Sequence, residues 1–285
     1  MRPLLRLTAA SAPLTKAIAV RDEFGAERQI SIPAERPLTV FVDNRELVTL
    51  MTLGAAPELL VLGYLRNQRL VDSVDDVDSI TVDWDVDAAA VKTLAGIDRF
   101  DEKTAKRVVT TGCGQGTVFG HLMSDLESVE LPPASDPSAR IGQATLYGLL
   151  NAIRLKESTY KSAGSVHGCA LFRQQELLTF VEDVGRHNAI DTIAGWMWLH
   201  GVSGGDKIFY TTGRLTSEMV IKSAQMGIPV IVSRSGITQM GHELATRMGL
   251  ALFGRATNRH FIGYCGMERF DSQPELAVAR PAAAA

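Results

Sequence analysis

Apolar and polar residues recur along the first hundred positions with the periods of both strands and helices. Residues 38–42 alternate between apolar side chains and polar or oppositely facing ones, Asp43-Asn44 is a tight-turn pair, and apolar residues resume over 47–50. This pattern predicts a β-hairpin. Pro57 opens a predicted helix, because its missing N–H costs nothing in the first turn, and another strand is predicted over 80–86. The first half is therefore predicted to be mixed α and β.

Helical and strand patterns alternate in the second half. Leu146, Leu150 and Ile153 lie on one face of a predicted helix that ends at Gly164. The predicted elements after it are strands near 169–173 and 177–181, a helix after 186, a strand over 207–210, a strand over 228–233, a helix over 238–248 and a strand over 251–254. Such alternation predicts a sheet covered by helices on both faces, a three-layer α/β/α arrangement.

A proline cluster over residues 132–137 indicates a boundary between two domains. We predict a flexible N-terminal segment over 1–33, an N-terminal α+β domain over 34–131, a C-terminal α/β domain over 138–268 and a tail over 269–285. The first residues carry arginines and no acid before Asp22, but their apolar runs are too short for an export signal. The sequence predicts a disordered start instead.

The amino-acid composition reduces the number of functional classes to which this protein can belong. Of the 285 residues, 46% are hydrophobic and 21% charged, which is ordinary for a soluble globular protein, and the net charge of −3 gives no general attraction to nucleic acid. No stretch approaches the roughly 20 apolar residues that span a bilayer, so no membrane partner is expected. Three cysteines, odd in number and far apart, argue against a disulfide framework and predict a cytoplasmic protein.

Local charge is uneven. Residues 72–87 hold seven aspartates and no basic residue, which is typical of a solvated rim. Residues 203–269 hold eight Lys and Arg against four Asp and Glu. This excess favours an anionic ligand, although a scattered basic surface explains it almost as well.

The segment Glu182–Ala189, E-D-V-G-R-H-N-A, places two carboxylates, a guanidinium, an imidazole and an amide around one glycine. Residues 177–181 before it predict a buried strand, and Ile190, Ile193 and Met197 after it recur at helical spacing. A strand-to-helix junction in an open α/β sheet exposes backbone N–H groups that favour an anion. The alternative is a capped helix with solvated charges.

Residues 211–219, T-T-G-R-L-T-S-E-M, repeat this arrangement after the strand at 207–210. A glycine and an arginine precede a helix opened by hydroxyl side chains. Two such junctions in one sheet can share one ligand.

These segments resemble the formate dehydrogenase accessory sulfurtransferase family, FdhD, whose signatures look like E-D-V-G-R-H-N-A and S-G-R-x-S-x-E-M. The resemblance extends to residues 35–44 and 62–65 and to Gly164–His167, and it covers roughly 34–264. It implies a cytidine deaminase-like fold for the C-terminal domain, a homodimer, and two partners, a cysteine desulfurase and the formate dehydrogenase catalytic subunit.

The resemblance also implies a ligand, the bis-molybdopterin guanine dinucleotide form of molybdenum cofactor, with GDP as a partial mimic. In this sequence the ligand-contacting residues would be Asp183, Gly185, Arg186, His187, Asn188, Gly213, Arg214, Ser217, Phe253, Gly254, Arg255, Ala256, Thr257 and Asn258. Arginines can fork onto phosphate oxygens, and the hydroxyls of Thr216 and Ser217 can cap the helix while donating to the same phosphate. The chain is one residue longer than the family pattern before Phe261.

Cys113 lies among three glycines in the loop Thr110–Thr117, directly after a strand-like Val108-Val109. A sulfur carrier needs a cysteine that two partners can reach in turn and that has thiolate character. In the family this position is similar to the persulfide-carrying cysteine of C-G-x-C, but here Gly116 replaces the second cysteine. Cys169 lies in an apolar strand and is predicted to be a core residue, whereas the role of Cys265 is open.

The sequence does not contain the residue spacings that define three other kinds of functional site. The glycines at 112, 114 and 116 do not form G-x-G-x-x-G, no phosphate-binding G-x-x-x-x-G-K-[ST] occurs, and the zinc deaminase ligands H-x-E and P-C-x-x-C are absent. No metal site and no zinc are therefore expected. The leading hypothesis is a sulfurtransferase that passes persulfide sulfur from Cys113 to the molybdenum cofactor. The alternative is a non-covalent chaperone that binds this cofactor or a guanine nucleotide during formate dehydrogenase maturation.

Overall fold

The structure is a computed structural model that describes residues 5–97, 100 and 129–277. Within these residues the α-helices are α1 (Pro57–Asn67), α2 (Gln143–Leu155), α3 (Thr159–Ala163), α4 (Arg186–Leu199), α5 (Ser217–Gln225) and α6 (Gln239–Arg247). The strands are β1 (Arg6–Leu7), β2 (Thr15–Arg21), β3 (Glu27–Pro33), β4 (Arg36–Val42), β5 (Arg45–Thr52), β6 (Val77–Asp83), β7 (Ala88–Thr93), β8 (Ile141–Gly142), β9 (His167–Arg173), β10 (Glu176–Asp183), β11 (Lys207–Thr211), β12 (Val230–Ser233), β13 (Ala251–Thr257), β14 (His260–Cys265) and β15 (Phe270–Asp271). The fold is mixed α/β.

The described chain forms two compact units. The first contains residues up to 100, 157–169 and 180–202, and the second contains 129–156, 170–179 and 203–277. The predicted boundaries placed 157–169 and 180–202 with the C-terminal part of the chain. They lie in the first unit, where α4 packs closely against α1 and α3 contacts β3. Local periodicity does not reveal such long-range contacts.

The first unit is built on a five-stranded sheet with the order β1-β6-β7-β4-β5. The predicted hairpin is present: β4 and β5 pair antiparallel, and Asp43 and Asn44 both have positive φ, 47° and 66°. This turn matches the twist of the strands. The strand predicted to reach residue 86 ends at Asp83, and Val86 is exposed.

Residues predicted to be a flexible start form regular strands. β1 adds to the edge of the first sheet by pairing in parallel with β6, and β2 and β3 form a separate antiparallel hairpin. Both hairpin strands are largely exposed or half-buried. Ile18 and Val20 in β2 and Ile30 and Ile32 in β3 do alternate, a short signal that the prediction of a flexible start did not use.

Helices α1 and α4 cross at two glycines. A Cβ on Gly63 would lie 1.6 Å from the carbonyl oxygen of Asp191, and a Cβ on Gly195 would lie 2.0 Å from that of Leu59. The Arg66 guanidinium donates to the Ala194 carbonyl at 2.9 Å, and burial lowers the pKa of Arg66 to about 10. The close crossing holds α4, which begins at the candidate site, against α1.

The second sheet has the order β10-β9-β11-β12-β13-β14. Strands β11, β12 and β13 are parallel, with α5 and α6 connecting them in turn, and β14 pairs antiparallel with β13. The helix predicted to run to Gly164 is instead two helices. Ser158 interrupts it, because its side chain caps α3 by accepting from the Lys161 N–H. No helix within the described residues is long and apolar enough to cross a bilayer.

Candidate functional site

The predicted site residues fall into three groups. The Cys113 loop lies outside the described residues. Residues 182–189 belong to the first unit, and Gly213, Arg214, Ser217 and residues 253–258 belong to the second.

Asp183, the last residue of β10, is almost fully buried and accepts four hydrogen bonds. One carboxylate oxygen accepts from the Thr52 hydroxyl at 2.5 Å and the Leu53 N–H at 3.1 Å, and the other from the Gly185 N–H at 3.1 Å and the Asn188 amide at 2.8 Å. Burial raises the pKa of Asp183, and the four hydrogen bonds oppose that shift. This carboxylate ties the end of β5 to the start of α4.

The neighbouring polar residues are also used inside the fold. The Asn188 amide donates to the Met51 carbonyl at 2.7 Å as well as to Asp183. The Glu182 carboxylate accepts from the backbone N–H groups of Thr159 and Tyr160, at 2.5 and 3.1 Å, and so caps α3. The capped-helix alternative required the charges of this segment to be solvated. The Glu182 and Asp183 carboxylates are instead hydrogen-bonded inside the fold. Glu182, Asp183 and Asn188 are therefore all hydrogen-bonded within the fold, and a contact between Asp183 or Asn188 and a ligand stays a prediction.

Arg186 and His187 occupy the first turn of α4 and are 4% and 2% exposed. Gly185 is the N-cap, and it has no side chain to cap the helix. A contact between Arg186 or His187 and a ligand stays a prediction.

In the second unit, the loops that follow β11 and β12 are joined by hydrogen bonds. The Ser233 hydroxyl donates to the Gly213 carbonyl at 2.6 Å, and the Leu215 N–H donates to the Gly236 carbonyl at 2.9 Å. The Thr238 N–H donates in return to the Leu215 carbonyl at 3.0 Å. Arg214 is exposed between these anchors, so its backbone is held while its side chain faces solvent.

The end of β13 joins the same loops. The Arg255 N–H donates to the Ser235 carbonyl at 2.8 Å. A Cβ on Gly254 would lie 3.0 Å from that carbonyl and 2.6 Å from the Tyr264 ring, so any other residue would require the ring to shift. The loops after β11 and β12 and the end of β13 therefore form one connected edge.

The pairing of β13 with β14 contains a β-bulge opposite Phe261. Gly254 pairs with Ile262 and Thr257 with His260, so Arg255 and Ala256 together face Phe261. Arg255 has a φ of 48° and is exposed. A bulge of this kind redirects a side chain at the end of a strand, and here it turns an arginine outward.

Exposed arginines follow β11 and β12, at Arg214 and Arg234, and a third, Arg255, lies near the end of β13. We call these three residues the arginine edge. The sequence interpretation named Arg214 and Arg255 but missed Arg234. The repeated pattern of strand, small residues and arginine would have indicated it. Three guanidinium groups at one edge of a sheet provide an arrangement suited to phosphate.

Helix α5 begins at this edge without a side-chain cap. Thr216 is the N-cap residue, but within the described part of the chain it makes no capping hydrogen bond, and its buried Oγ1 has no partner there. The predicted cap by the Thr216 hydroxyl is therefore not formed. Glu218 in the first turn lies 3.7 Å from the fully buried ammonium of Lys222, which compensates its charge. The N–H groups at the start of α5 favour an anion.

The two described cysteines, Cys169 and Cys265, differ in solvent exposure. Cys169 is fully buried in β9, which confirms that it is a core residue. Cys265 is half-buried, its thiol donates to the Leu250 carbonyl at 3.4 Å, and burial raises its pKa. Neither is suited to accept sulfur from a partner protein. Among the described residues, no group of three His, Cys, Asp or Glu side chains could hold a metal ion.

The fold and the arginine edge define an α/β protein whose second sheet presents three exposed arginines at one edge. The chain matches the FdhD/NarQ family over residues 33–271 and belongs to that family. It is 30% identical over 254 residues to the sulfur carrier protein FdhD of Listeria monocytogenes serotype 4b (strain F2365), covering 87% of this chain and 95% of that protein. The protein of the same name from Bacillus subtilis (strain 168) is 29% identical over 261 residues, 89% of this chain and 98% of the relative.

A solved structure is also similar. It is the crystal structure of a protein from Desulfotalea psychrophila that is named as a candidate formate dehydrogenase accessory protein. The two share 25% sequence identity with a TM-score of 0.71, over 90% of this chain and 100% of the other.

Proposed function

We propose that this protein is a sulfur carrier for formate dehydrogenase maturation. In this proposal a cysteine desulfurase loads Cys113 with persulfide sulfur, and the protein passes that sulfur to the bis-molybdopterin guanine dinucleotide cofactor. Its relatives named sulfur carrier protein FdhD support the sulfur-carrying part. The similar structure named for a formate dehydrogenase accessory role supports the client.

The observation that carries the ligand part is the arginine edge. Arg214, Arg234 and Arg255 are exposed at the ends of successive parallel strands, next to the uncapped start of α5. A guanine dinucleotide carries phosphates that guanidinium groups bind in a fork. Gly254 leaves room for close approach of the neighbouring backbone. These groups fit the anionic nucleotide portion of the cofactor.

The loading step is thiol–persulfide exchange. The Cys113 thiolate attacks the outer sulfur of the desulfurase persulfide, a new sulfur–sulfur bond forms on Cys113, and the desulfurase cysteine leaves as a thiolate. The burial of Cys169 and the raised pKa of Cys265 leave Cys113 as the cysteine best suited to this exchange.

A load-and-chase experiment tests the proposal. The protein is incubated with a cysteine desulfurase and sulfur-35 cysteine, and the bound label is measured before and after thiol treatment. We expect thiol-labile label on the wild-type protein and on Cys265→Ala, and none on Cys113→Ala. Wild-type labelling of Cys113→Ala would contradict the proposal.

Gly116 at the position of the family's second cysteine favours a second candidate, a chaperone that binds the cofactor without a covalent step. The two candidates differ for Cys113→Ser. In a strain lacking this protein, a chaperone with that substitution would restore formate dehydrogenase activity. A sulfur carrier would not, because a serine cannot hold persulfide sulfur. Cys265→Ser is the matched control and should restore activity in both cases.

A further inference from the structure

Strands β2 and β3 form a hairpin that no third strand joins within the described part of the chain. Its two seven-residue strands pair without interruption, from Thr15 opposite Pro33 to Arg21 opposite Glu27. Helix α3 contacts β3. A hairpin of two strands is marginally stable by itself and gains stability when a further strand or helix packs against it. The β2 side of this hairpin is therefore an open sheet edge.

The backbone of β2 points alternately toward β3 and toward the open side. Just beyond the strand, the Asp22 N–H donates to the Ala26 carbonyl at 3.1 Å. In an antiparallel pair only every second residue exchanges hydrogen bonds with the partner strand, so the even-numbered residues of β2 are bonded to β3. The N–H and carbonyl groups of Ala17 and Ala19 point away from β3, and among the described residues they have no hydrogen-bond partner.

The open edge lacks several of the features by which natural edge strands prevent another strand from adding. Strand β2 contains no proline, and its pairing with β3 has no bulge that would twist the edge away. The side chains of Ala17 and Ala19 are small and exposed. A regular edge of this length can accept the backbone of an added strand.

One face of the hairpin is apolar. Ile18 pairs with Ile30, and Val20 and Ile32 lie on the same face beside them. Ile30 is 39% exposed, and the other three are half-buried. Ile18 and Val20 occupy the positions at which an antiparallel added strand brings its side chains closest. An added strand with apolar residues at alternate positions would extend this face.

The turn at the end of the hairpin is ordered by hydrogen bonds. The Asp22 carboxylate accepts from the N–H groups of Phe24 and Ala26, both at 3.0 Å, and Gly25 has a φ of 81°. These bonds hold the two strands in register without a bound partner. A partner that adds to β2 therefore does not have to order the hairpin first.

The charge of β2 distinguishes between possible occupants of its edge. The strand carries Lys16 and Arg21 and no acidic residue. Arg21 forms a salt bridge with Glu27 at 2.8 Å, whereas the exposed Lys16 forms none with any described carboxylate. A second copy of β2 would bring like charge to this edge, and a segment with an acidic residue would compensate it.

We propose that β2 binds an extended segment of a partner protein by β-strand addition. The segment is apolar at alternate positions and carries an acidic residue that pairs with Lys16. The backbone groups of Ala17 and Ala19 exchange hydrogen bonds with the segment, and its apolar side chains pack beside Ile18 and Val20. The proposal does not depend on sulfur transfer or on a cofactor.

A displayed library of random nine-residue peptides, selected on the full chain, tests the proposal. We expect enrichment of peptides that have alternating apolar residues and at least one Asp or Glu. Ala19→Pro should abolish this enrichment, because proline removes the outward N–H and leaves the hydrogen bonds to β3 in place. Ala19→Ser is the matched control, since it keeps the N–H, and it should select the same peptides as the wild type.

Titration of the most enriched peptide, labelled with fluorescein and followed by anisotropy, measures the charge pairing. Lys16→Glu should weaken binding by about threefold or more, the scale of a cross-strand charge pair. Replacing the peptide's acidic residue with lysine should restore binding to Lys16→Glu. Arg247→Glu, a charge reversal at an exposed residue of the second unit, should leave the affinity unchanged.

Far-UV circular dichroism and a thermal melt of each variant separate loss of binding from loss of the hairpin. Lys16→Glu changes an exposed side chain, so it decides the matter if Ala19→Pro does not fold. The proposal is overturned if no alternating peptide is enriched on the wild type, or if Lys16→Glu binds the enriched peptide as the wild type does. It is also overturned if Ala19→Pro lowers the mass measured by sedimentation, because a second copy would then cover β2.

Discussion

The substitution Asp183→Asn tests whether this residue connects the first unit through its hydrogen bonds. Asparagine has the same shape but replaces one carboxylate oxygen with an NH₂ group. Each oxygen of Asp183 accepts from two donors. Whichever way the new amide turns, its NH₂ group therefore faces donors from the protein.

The orientation of the asparagine amide with the lower free-energy cost places the NH₂ group near Thr52 and Leu53. The Thr52 hydroxyl can rotate and accept, but the Leu53 N–H loses its acceptor in a buried site. The other orientation would oppose the Gly185 N–H and the Asn188 amide, which cannot turn without losing its bond to the Met51 carbonyl.

An unsatisfied buried donor costs about 1–3 kcal/mol, and three bonds lose the assistance of a charge, about 0.5–1 kcal/mol each. The neutral amide avoids part of the desolvation that raises the pKa of Asp183. We therefore expect Asp183→Asn to lower the free energy of unfolding by about 2–4 kcal/mol.

Urea unfolding monitored by tryptophan fluorescence measures this change, because the chain's three tryptophans, Trp84, Trp196 and Trp198, all lie in the first unit. Asp85→Asn is the matched control, since Asp85 is exposed, and it should change stability by less than about 0.5 kcal/mol. A change of that small size for Asp183→Asn would refute the reasoning.

Three further predictions concern other parts of the chain. Gly63→Ala should lower the free energy of unfolding by about 3 kcal/mol or more in the same urea assay, because its Cβ would overlap the Asp191 carbonyl, whereas Gly205→Ala, with 3.6 Å to its nearest neighbour, should have little effect. Cys265 should react with iodoacetamide more slowly than a free cysteine at pH 8, because a raised pKa lowers the thiolate fraction. Its rate should rise as the pH approaches that pKa, as followed by mass spectrometry; equal rates at pH 8 would contradict this. Arg214→Ala should weaken GDP binding by about 1.5–3 kcal/mol in calorimetry, with partial recovery by lysine, and unchanged affinity in a stable variant would remove Arg214 from the site.

Local sequence patterns were sufficient for elements whose signals are contained within a few residues. The β4–β5 hairpin follows from alternation around Asp43-Asn44, and α1 follows from Pro57 and its apolar spacing. The strand-to-helix junctions at 182–189 and 211–219 were also predicted, because a buried strand, a glycine and a helical repeat occur in order. The cytidine deaminase likeness and the roles of the predicted ligand contacts stay predictions.

Sequence by itself determined the β4–β5 hairpin, most of the strands and helices after residue 140, the junctions and the family signatures, since these depend on neighbouring side chains and their period. Only the tertiary structure decided which polar groups serve the fold and which are exposed. Asp183 and Asn188 are engaged inside the first unit by β5, more than 130 residues earlier in the chain. Arg234 joins Arg214 and Arg255 because three parallel strands end at one edge. Contacts between distant segments depend on chain topology, and no local period records them.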